Sequence, residues 1–360
     1  MDRVHVAIIG CGSIAQRKIL PALLRREDVD VCAFYDNNPR NSQSACAQFG
    51  NARSYVADTL TQVLNDSRID AVYVCTPNST HSELTIAALN HNKHVMCEKP
   101  MALSYGEAVN MLNAAEKAGK VLSIGFQNRF RDDYMMVKSL GDEGFFGDMY
   151  YVKAYTVRRM GIPNWGAFLN KDIQGGGPLI DLGSHVLDLA LWLTNNYKPA
   201  YVVGAAYNHI GRLGSDCNRW GPWPNEEYDI EDSAFGFVRM ENGMTISIET
   251  AWAMHTTDER TACVSLYGSK AGAEMRNGLT IVREMNGSLV EIKPSVAAES
   301  SQALAPGNNV NSANDREVAS FIEAVKAQDP SLGNARQAAV VTKITEALYH
   351  SAQIGRPVDL

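Results

Sequence analysis

Residues 4–15 read Val4-His5-Val6-Ala7-Ile8-Ile9-Gly10-Cys11-Gly12-Ser13-Ile14-Ala15. The apolar, β-branched opening has the character of a buried parallel strand. It runs into a G-x-G-x-x-A turn, and helix-compatible residues follow from Ser13 to Leu24. A second strand is predicted over Val29–Tyr35 and ends in Asp36. Gly10 permits the tight turn, and Gly12 lets backbone approach a pyrophosphate with no Cβ in the way. Ser13 and Ile14 open a helix whose free N–H groups and positive dipole end suit phosphates. Ala15 keeps helix and strand close. A carboxylate at Asp36 can accept hydrogen bonds from both ribose hydroxyls and repels a 2′-phosphate, which favours NAD; Arg40 nearby keeps NADP open. The strand before, the helix after and the acid behind distinguish this from a chance glycine turn. S-adenosylmethionine is the rival ligand, since it also uses a glycine turn and an acidic residue.

Strand and helix signals alternate to about residue 125, with strands at Ala71–Cys75, His94–Met96 and Val121–Gly125. Ser104-Tyr105-Gly106-Glu107 has capping-box spacing and starts one of the helices. This alternation requires a doubly wound parallel sheet, so 1–125 reads as an α/β Rossmann domain. The pattern then changes. A helix around Tyr134–Leu140 and a strand at Met149–Thr156 precede an irregular Gly/Pro/Trp-rich segment, 160–178, and an apolar helix, 179–193. Strands are predicted at Tyr201–Tyr207, Ser233–Met240, Met244–Trp252, Thr261–Tyr267, Leu279–Val282 and Leu289–Ile292, with a hairpin turn at Glu241-Asn242-Gly243. Residues 126–360 therefore read as an α+β domain with an open, mainly antiparallel sheet. Ser295–Asn314 is rich in Ser, Ala, Asn and Gly and reads as a flexible loop. Helices from Asn314 and over Ala335–Ser351 close the chain, with packing back on the first domain left open.

Composition narrows the function. Hydrophobic residues make up 45% of 360 and charged residues 20%, ordinary for a globular protein of two domains. The net charge of 33 − 40 = −7 gives no attraction to nucleic acid or anionic membrane. The longest apolar stretch, Val186–Leu193, carries Asp188 and is far short of a membrane span. Met1 leads directly toward the first strand, with no signal peptide expected. Seven scattered cysteines, with no C-x-x-C and no clustered Cys/His set, suggest reduced thiols in the cytoplasm and no metal.

Three segments carry chemistry unusual for their setting. Cys75-Thr76-Pro77-Asn78 follows a strand directly, where a doubly wound sheet binds ligands. Asn78 there would face the nicotinamide side of a cofactor, although Pro and Asn also make plain turns. Met96-Cys97-Glu98-Lys99-Pro100 follows the next strand. An ammonium at Lys99 would stabilise alkoxide character on a reacting hydroxyl, and a cis bond at Pro100 would aim it; the alternative is a surface Glu–Lys pair. In Gly175-Gly176-Gly177-Pro178-Leu179-Ile180-Asp181-Leu182-Gly183-Ser184-His185, Asp181 and His185 are four apart on a helix and share a face. Asp188 and Trp192 extend that stripe on a helix otherwise apolar all round. Histidine is the natural general base near neutral pH, with a carboxylate to orient it. A lone histidine on such a helix is ordinarily a satisfied core residue; the triple glycine, permitting close approach, favours function. Trp165, in the irregular segment, suits stacking on a sugar face, with Arg158 and Arg159 supplying hydrogen bonds. Trp220 and Trp223 read equally well as loop anchors.

With these segments in hand, the chain resembles the glucose–fructose oxidoreductase/inositol dehydrogenase (Gfo/Idh/MocA) family over essentially its whole length. The likeness lies in Gly10–Ala15, the C-T-P-N turn at 75–78 with His81, Glu98-Lys99-Pro100, Gly125-Phe126-x-Asn128-Arg129-Phe130, and G-G-x-x-x-D-x-x-x-H ending at Asp181 and His185. The resemblance implies catalytic and substrate-binding roles for Lys99, Asp181 and His185. It adds Thr76, His81 and Glu98 to the cofactor side, and it implies homodimers or homotetramers built through the second domain's sheet. Arg158–Gly166, which contains Asn164 and Trp165, Gln174–Pro178 and Tyr228–Ser233 resemble glucoside 3-dehydrogenases, implying a sugar or glycoside substrate oxidised at C3. Inositol oxidation and an NAD-dependent glycosidase using transient C3 oxidation are the rival reactions.

Overall fold

The computed structural model describes residues 3–226, 228–295 and 312–360. Apart from its ends, the loop read at Ser295–Asn314 lies outside the described residues. The chain divides into two compact units, Met1–Phe130 with Gln302–Ala339 and Arg131–Ser301 with Val340–Leu360.

In the first unit β1 (Val4–Ile9), α1 (Leu20–Leu24), β2 (Val29–Tyr35), α2 (Pro39–Phe49), β3 (Tyr55–Val56), α3 (Leu60–Asn65), β4 (Ala71–Val74), α4 (His81–Asn90), β5 (His94–Cys97), α5 (Tyr105–Ala118) and β6 (Leu122–Ile124) follow in order. The strands make one sheet, ordered β3-β2-β1-β4-β5-β6, and every pairing is parallel. The order reverses at β1, which hydrogen-bonds β2 on one side and β4 on the other, and a doubly wound sheet holds its ligand at such a switch point. The register decides what meets there. Ile9 lies opposite Tyr35 and Val74, Val74 opposite Cys97, and Cys97 opposite Ile124. Gly10, Asp36, Cys75, Glu98 and Gly125 therefore leave the sheet along one edge. The helices start where their caps dictate: Asn38 caps α2, Thr59 with Gln62 forms a capping box on α3, and Ser104 with Glu107 forms the expected box on α5.

The second unit holds α6 (Asp132–Asp142), β7 (Met149–Val157), α7 (Lys171–Gln174), α8 (Ser184–Thr194), β8 (Pro199–Tyr207), β9 (Ser233–Met240), β10 (Thr245–Ala251), β11 (Arg260–Gly268), β12 (Ala271–Glu274), β13 (Thr280–Met285) and β14 (Ser288–Ile292). After the undescribed stretch come α9 (Ala313–Ala327), α10 (Ala335–Ile354) and β15 (Val358–Asp359). Nine strands form one sheet, β14-β13-β12-β11-β7-β10-β9-β8-β15, antiparallel throughout except for the β7–β10 pair. Alternation places Val152, Ala154, Val238, Ile246, Ile248, Val264 and Leu266 in buried positions, and α8, apolar nearly all round, packs on this sheet. Helix α9 belongs to the first unit. Its Val318, Phe321 and Ile322 join Val4, Val6 and Ile8 in one core, and Phe321 lies edge-on to Tyr73 at 5.4 Å.

The structure differs from the sequence reading in backbone detail. The helices expected at 13–24 and 179–193 each contain a π-helical turn, Ala15–Ile19 and Leu179–Gly183. The one parallel pairing in the second sheet arises because the chain between β7 and β10 crosses over rather than making a hairpin.

Candidate active site

In the first unit, Gly10 has φ +89°, and a Cβ there would sit 2.7 Å from the carbonyl carbon and oxygen of Cys75. No side chain other than hydrogen fits that turn. A Cβ on Gly12 would meet nothing within 4 Å, so that face of the turn is open, as close approach by a phosphate requires. Ser13 and Ile14 are exposed at the start of the helix. Asp36 accepts from the backbone N–H of Cys11 at 2.7 Å, from that of Asn38 at 2.8 Å and from the Asn41 side-chain amide at 3.2 Å. Its half-buried carboxylate ties strand end to glycine turn. With three protein donors on about four lone-pair directions, it has room for one strong ribose bond rather than two. Arg40 is exposed in the first turn of α2, with its N–H on Asn38. An open glycine face, a helix start and a fixed carboxylate together fit a dinucleotide.

Beside this turn, His81 is fully buried, with Nδ1 2.7 Å from the Pro100 carbonyl and Nε2 2.9 Å from the Thr76 carbonyl. Burial pushes its imidazole down from the ordinary histidine value, against the pull of those carbonyls. His81 thus ties together the loops that carry Thr76 and Pro100 from a buried position. Thr76 accepts from the Thr80 hydroxyl at 2.8 Å, and Asn78 is buried. Glu98 and Lys99 are half-buried, and the Lys99–Pro100 peptide is cis, as expected. A Cβ on Gly125 would lie 3.4 Å from the Glu98 carboxylate, so the turn after β6 packs against that acid.

In the second unit, Asp181 sits in the π turn, 6% exposed, and accepts from the indole N–H of Trp252 at 3.0 Å. His185 lies half-buried in the first turn of α8. Asp181 lies within the π turn and His185 just beyond its end, and such turns recur at functional sites. Asp188 is buried, and Trp192 lies 5.9 Å from the Lys138 ammonium. The triple glycine has a use the sequence did not reveal. A Cβ on Gly176 would come 2.2 Å from the Tyr349 hydroxyl, and one on Gly177 would come 2.1 Å from the Glu231 carbonyl. These glycines are closely approached by protein atoms. Glu231 in turn accepts from Gly177 N–H at 2.8 Å, Leu179 N–H at 3.2 Å and the Tyr349 hydroxyl at 2.6 Å, and so caps the turn that carries Asp181.

The irregular segment supplies a row of aromatic rings. Phe168 contacts Trp252 at 6.2 Å, Trp165 contacts Phe168 at 5.6 Å, and Trp220 contacts Trp165 at 4.8 Å. The Arg158 guanidinium lies 5.2 Å from the Trp220 ring, and Asn164 donates to the Trp220 carbonyl at 2.6 Å. Burial pushes Arg158 down from its ordinary value, and the charge of Asp181 opposes that shift. Arg158, Asn164, Trp165 and Asp181 thus share one neighbourhood, and Trp220, read as an equal candidate for a loop anchor, belongs with them. Trp223 is the loop anchor: it is buried and donates to Gly211 at 2.7 Å. Trp252 read as a strand end, and nothing local in sequence marks an indole that reaches a carboxylate 71 positions away.

Residues 4–126 match an oxidoreductase family with an NAD-binding Rossmann fold, and residues 134–274 match the Gfo/Idh/MocA C-terminal domain. The chain is 34% identical over 357 residues to a D-glucoside 3-dehydrogenase of Escherichia coli (strain K12), spanning 99% of this chain and 97% of that protein. It is 31% identical over 250 residues to a glucose-6-phosphate 3-dehydrogenase of Bacillus subtilis (strain 168), covering 68% and 67% of the two chains. A levoglucosan dehydrogenase solved with NADH and L-sorbose shares the fold, with a TM-score of 0.82 at 21% identity over 100% of this chain and 99% of that one. Among the described residues, no helix is long and apolar enough to cross a membrane.

Proposed function

The chain belongs to the Gfo/Idh/MocA oxidoreductase family and is a sugar oxidoreductase, and from that premise we propose that it is a cytoplasmic NAD-dependent enzyme that oxidises the C3 hydroxyl of an O- or C-glucoside to a 3-keto sugar. The observation that carries the substrate class is the 34% identity, across 99% of the chain, to a protein named for that reaction. NAD rather than NADP is supported by the Asp36 carboxylate, held by three donors where a 2′-phosphate would have to lie. Gly10, Gly12, Ser13, Ile14, Thr76, Asn78, Glu98 and Lys99 would hold the dinucleotide. When bound, NAD supplies the hydride acceptor.

The chain's own residues handle the proton and the polyol. His185 removes the hydroxyl proton, and the Lys99 ammonium donates a hydrogen bond to the oxygen that becomes negative. Asp181, fixed by Trp252, holds the reacting or neighbouring hydroxyl as an acceptor. Arg158, Asn164 and Trp165 contact the rest of the glycoside. The test is to denature the purified protein, identify any released nucleotide, and map the oxidised carbon of a methyl glucoside product by NMR with NAD supplied. Oxidation at C3 is expected. Faster turnover of myo- or scyllo-inositol than of glucosides, or a requirement for NADP, overturns the reading.

The outward face of the nine-stranded sheet supports a homodimer or homotetramer. Val203 and Phe237 are register partners and are 40% and 48% exposed, and Tyr201 beside them is 39% exposed. An apolar group of this kind on a sheet face is characteristic of an interface. Phe237→Arg is expected to lower the mass measured by light scattering to that of a smaller assembly, and an unchanged mass removes this face from the interface.

A further inference from the structure

The aromatic row continues from Trp252 through Phe168 to Trp165 and Trp220. Trp165 is 47% exposed, yet it is held edge-on between Phe168 and Trp220, with interplanar angles of 66° and 88°. Its neighbour is braced from several directions. The guanidiniums of Arg158 and Arg219 lie 5.2 and 5.8 Å from the Trp220 ring. Arg219 is itself tied to Glu259 at 2.6 Å, and the Asn164 amide bonds the carbonyls of Trp220 and Pro222 at 2.6 and 3.0 Å. An exposed indole with its surroundings fixed in this way is preorganised, so a ligand that stacks on it loses little further entropy in ordering the site. The row ends inward at Trp252, which donates to Asp181. A substrate whose sugar hydroxyl reaches Asp181 would therefore extend its other end toward Trp165.

We infer that Trp165 and Trp220 form an aglycone subsite, and that the preferred substrates are glycosides whose aglycone presents a flat ring face. The subsite rests on the proposed role of Asp181 in holding the sugar. An aromatic aglycone gains stacking area on Trp165, and the cations beside Trp220 favour an electron-rich ring. A pyranosyl aglycone offers a similar flat C–H face.

Calorimetric titration of the full-length protein with phenyl β-D-glucoside, cellobiose and methyl β-D-glucoside separates these cases. The wild type is expected to bind the phenyl glucoside roughly tenfold more tightly than the methyl glucoside. Trp165→Ala is expected to bring that ratio below about threefold, and Trp165→Phe to keep an intermediate ratio. Cellobiose matching the phenyl glucoside supports a sugar ring in the subsite, and cellobiose matching the methyl glucoside supports an aromatic one. Equal binding of phenyl and methyl glucosides by the wild type, or an undiminished ratio in Trp165→Ala, overturns the subsite. The ratio compares two ligands on one preparation, so it is insensitive to partial loss of folded protein. It requires no turnover, so failure to form a 3-keto product sinks the proposed reaction and leaves the subsite to be judged by binding.

Discussion

Lys99→Met and His185→Ala are each expected to lower kcat on a glucoside by about 10²–10⁴-fold, the range lost when a positioned proton-transfer group or oxyanion donor is removed. Nucleotide affinity is expected to fall modestly in Lys99→Met and to stay near wild type in His185→Ala, because only the lysine is assigned to both cofactor and substrate. The lysine sits on an ordered loop. The N–H of Glu98 bonds Val74 at 2.9 Å, and the carbonyl of Pro100 is held by His81 at 2.7 Å, so the residue between them is fixed on both sides. Lys99→Arg keeps the charge but replaces a compact ammonium with a planar fork, and should recover little activity.

The double variant carries the sharper information. If the two groups serve one proton transfer, removing both costs little more than removing the more important one, because groups acting as a unit are strongly non-additive. Independent roles predict losses that multiply. Stopped-flow measurement of hydride transfer in the four proteins, with NAD affinity titrated in parallel, distinguishes these outcomes. Near-normal turnover in both single variants rejects the assigned roles.

What was legible in the sequence was what local chemistry determines. The apolar run before Gly10 and the acid after the second strand specify a parallel sheet with a nucleotide turn, because strand, turn and helix lie within thirty-six residues. The Ser104 capping box could be read for the same reason. Features that depend on distant partners could not. The glycines at 176 and 177 read as permitting close approach, and only the fold shows that what approaches them is Tyr349 and Glu231. The helix that contains the π turn at Leu179–Gly183 is apolar nearly all round, so no stripe is displaced and the sequence pattern does not reveal it. Trp252 and Trp220 read as a strand end and a loop residue until their long-range contacts with Asp181 and Trp165 are known.

Glu231→Ala is expected to destabilise the second unit by about 3–5 kcal/mol, and to lower kcat/KM in whatever protein remains folded. The carboxylate is the acceptor for three donors, the N–H groups of Gly177 and Leu179 and the Tyr349 hydroxyl. Alanine would leave all three without it, and each buried donor so deprived costs about 1–3 kcal/mol, less where water enters the space. Tyr349 also accepts from the N–H of Ile180 at 3.2 Å, so the disturbance would spread along the turn that carries Asp181. Glu231→Gln keeps the shape and one acceptor oxygen, but turns an amide N–H toward a donor, for an expected cost of about 1–2 kcal/mol. The pH dependence separates charge from packing. Burial raises the Glu231 carboxyl above the ordinary 4.5, against the hydrogen bonds that favour its charged form. A group whose folded-state value is raised contributes stability that is full below its unfolded value and is lost as pH rises through the folded value. Wild type should therefore lose stability relative to Glu231→Gln as pH rises from 4, and the variant's deficit should narrow. Urea unfolding of both proteins between about pH 4 and 8 measures the gap directly. A deficit that stays constant across that range rejects a burial-raised carboxyl at Glu231, and a variant with wild-type stability and kcat/KM rejects Glu231 as a cap needed by the turn that carries Asp181.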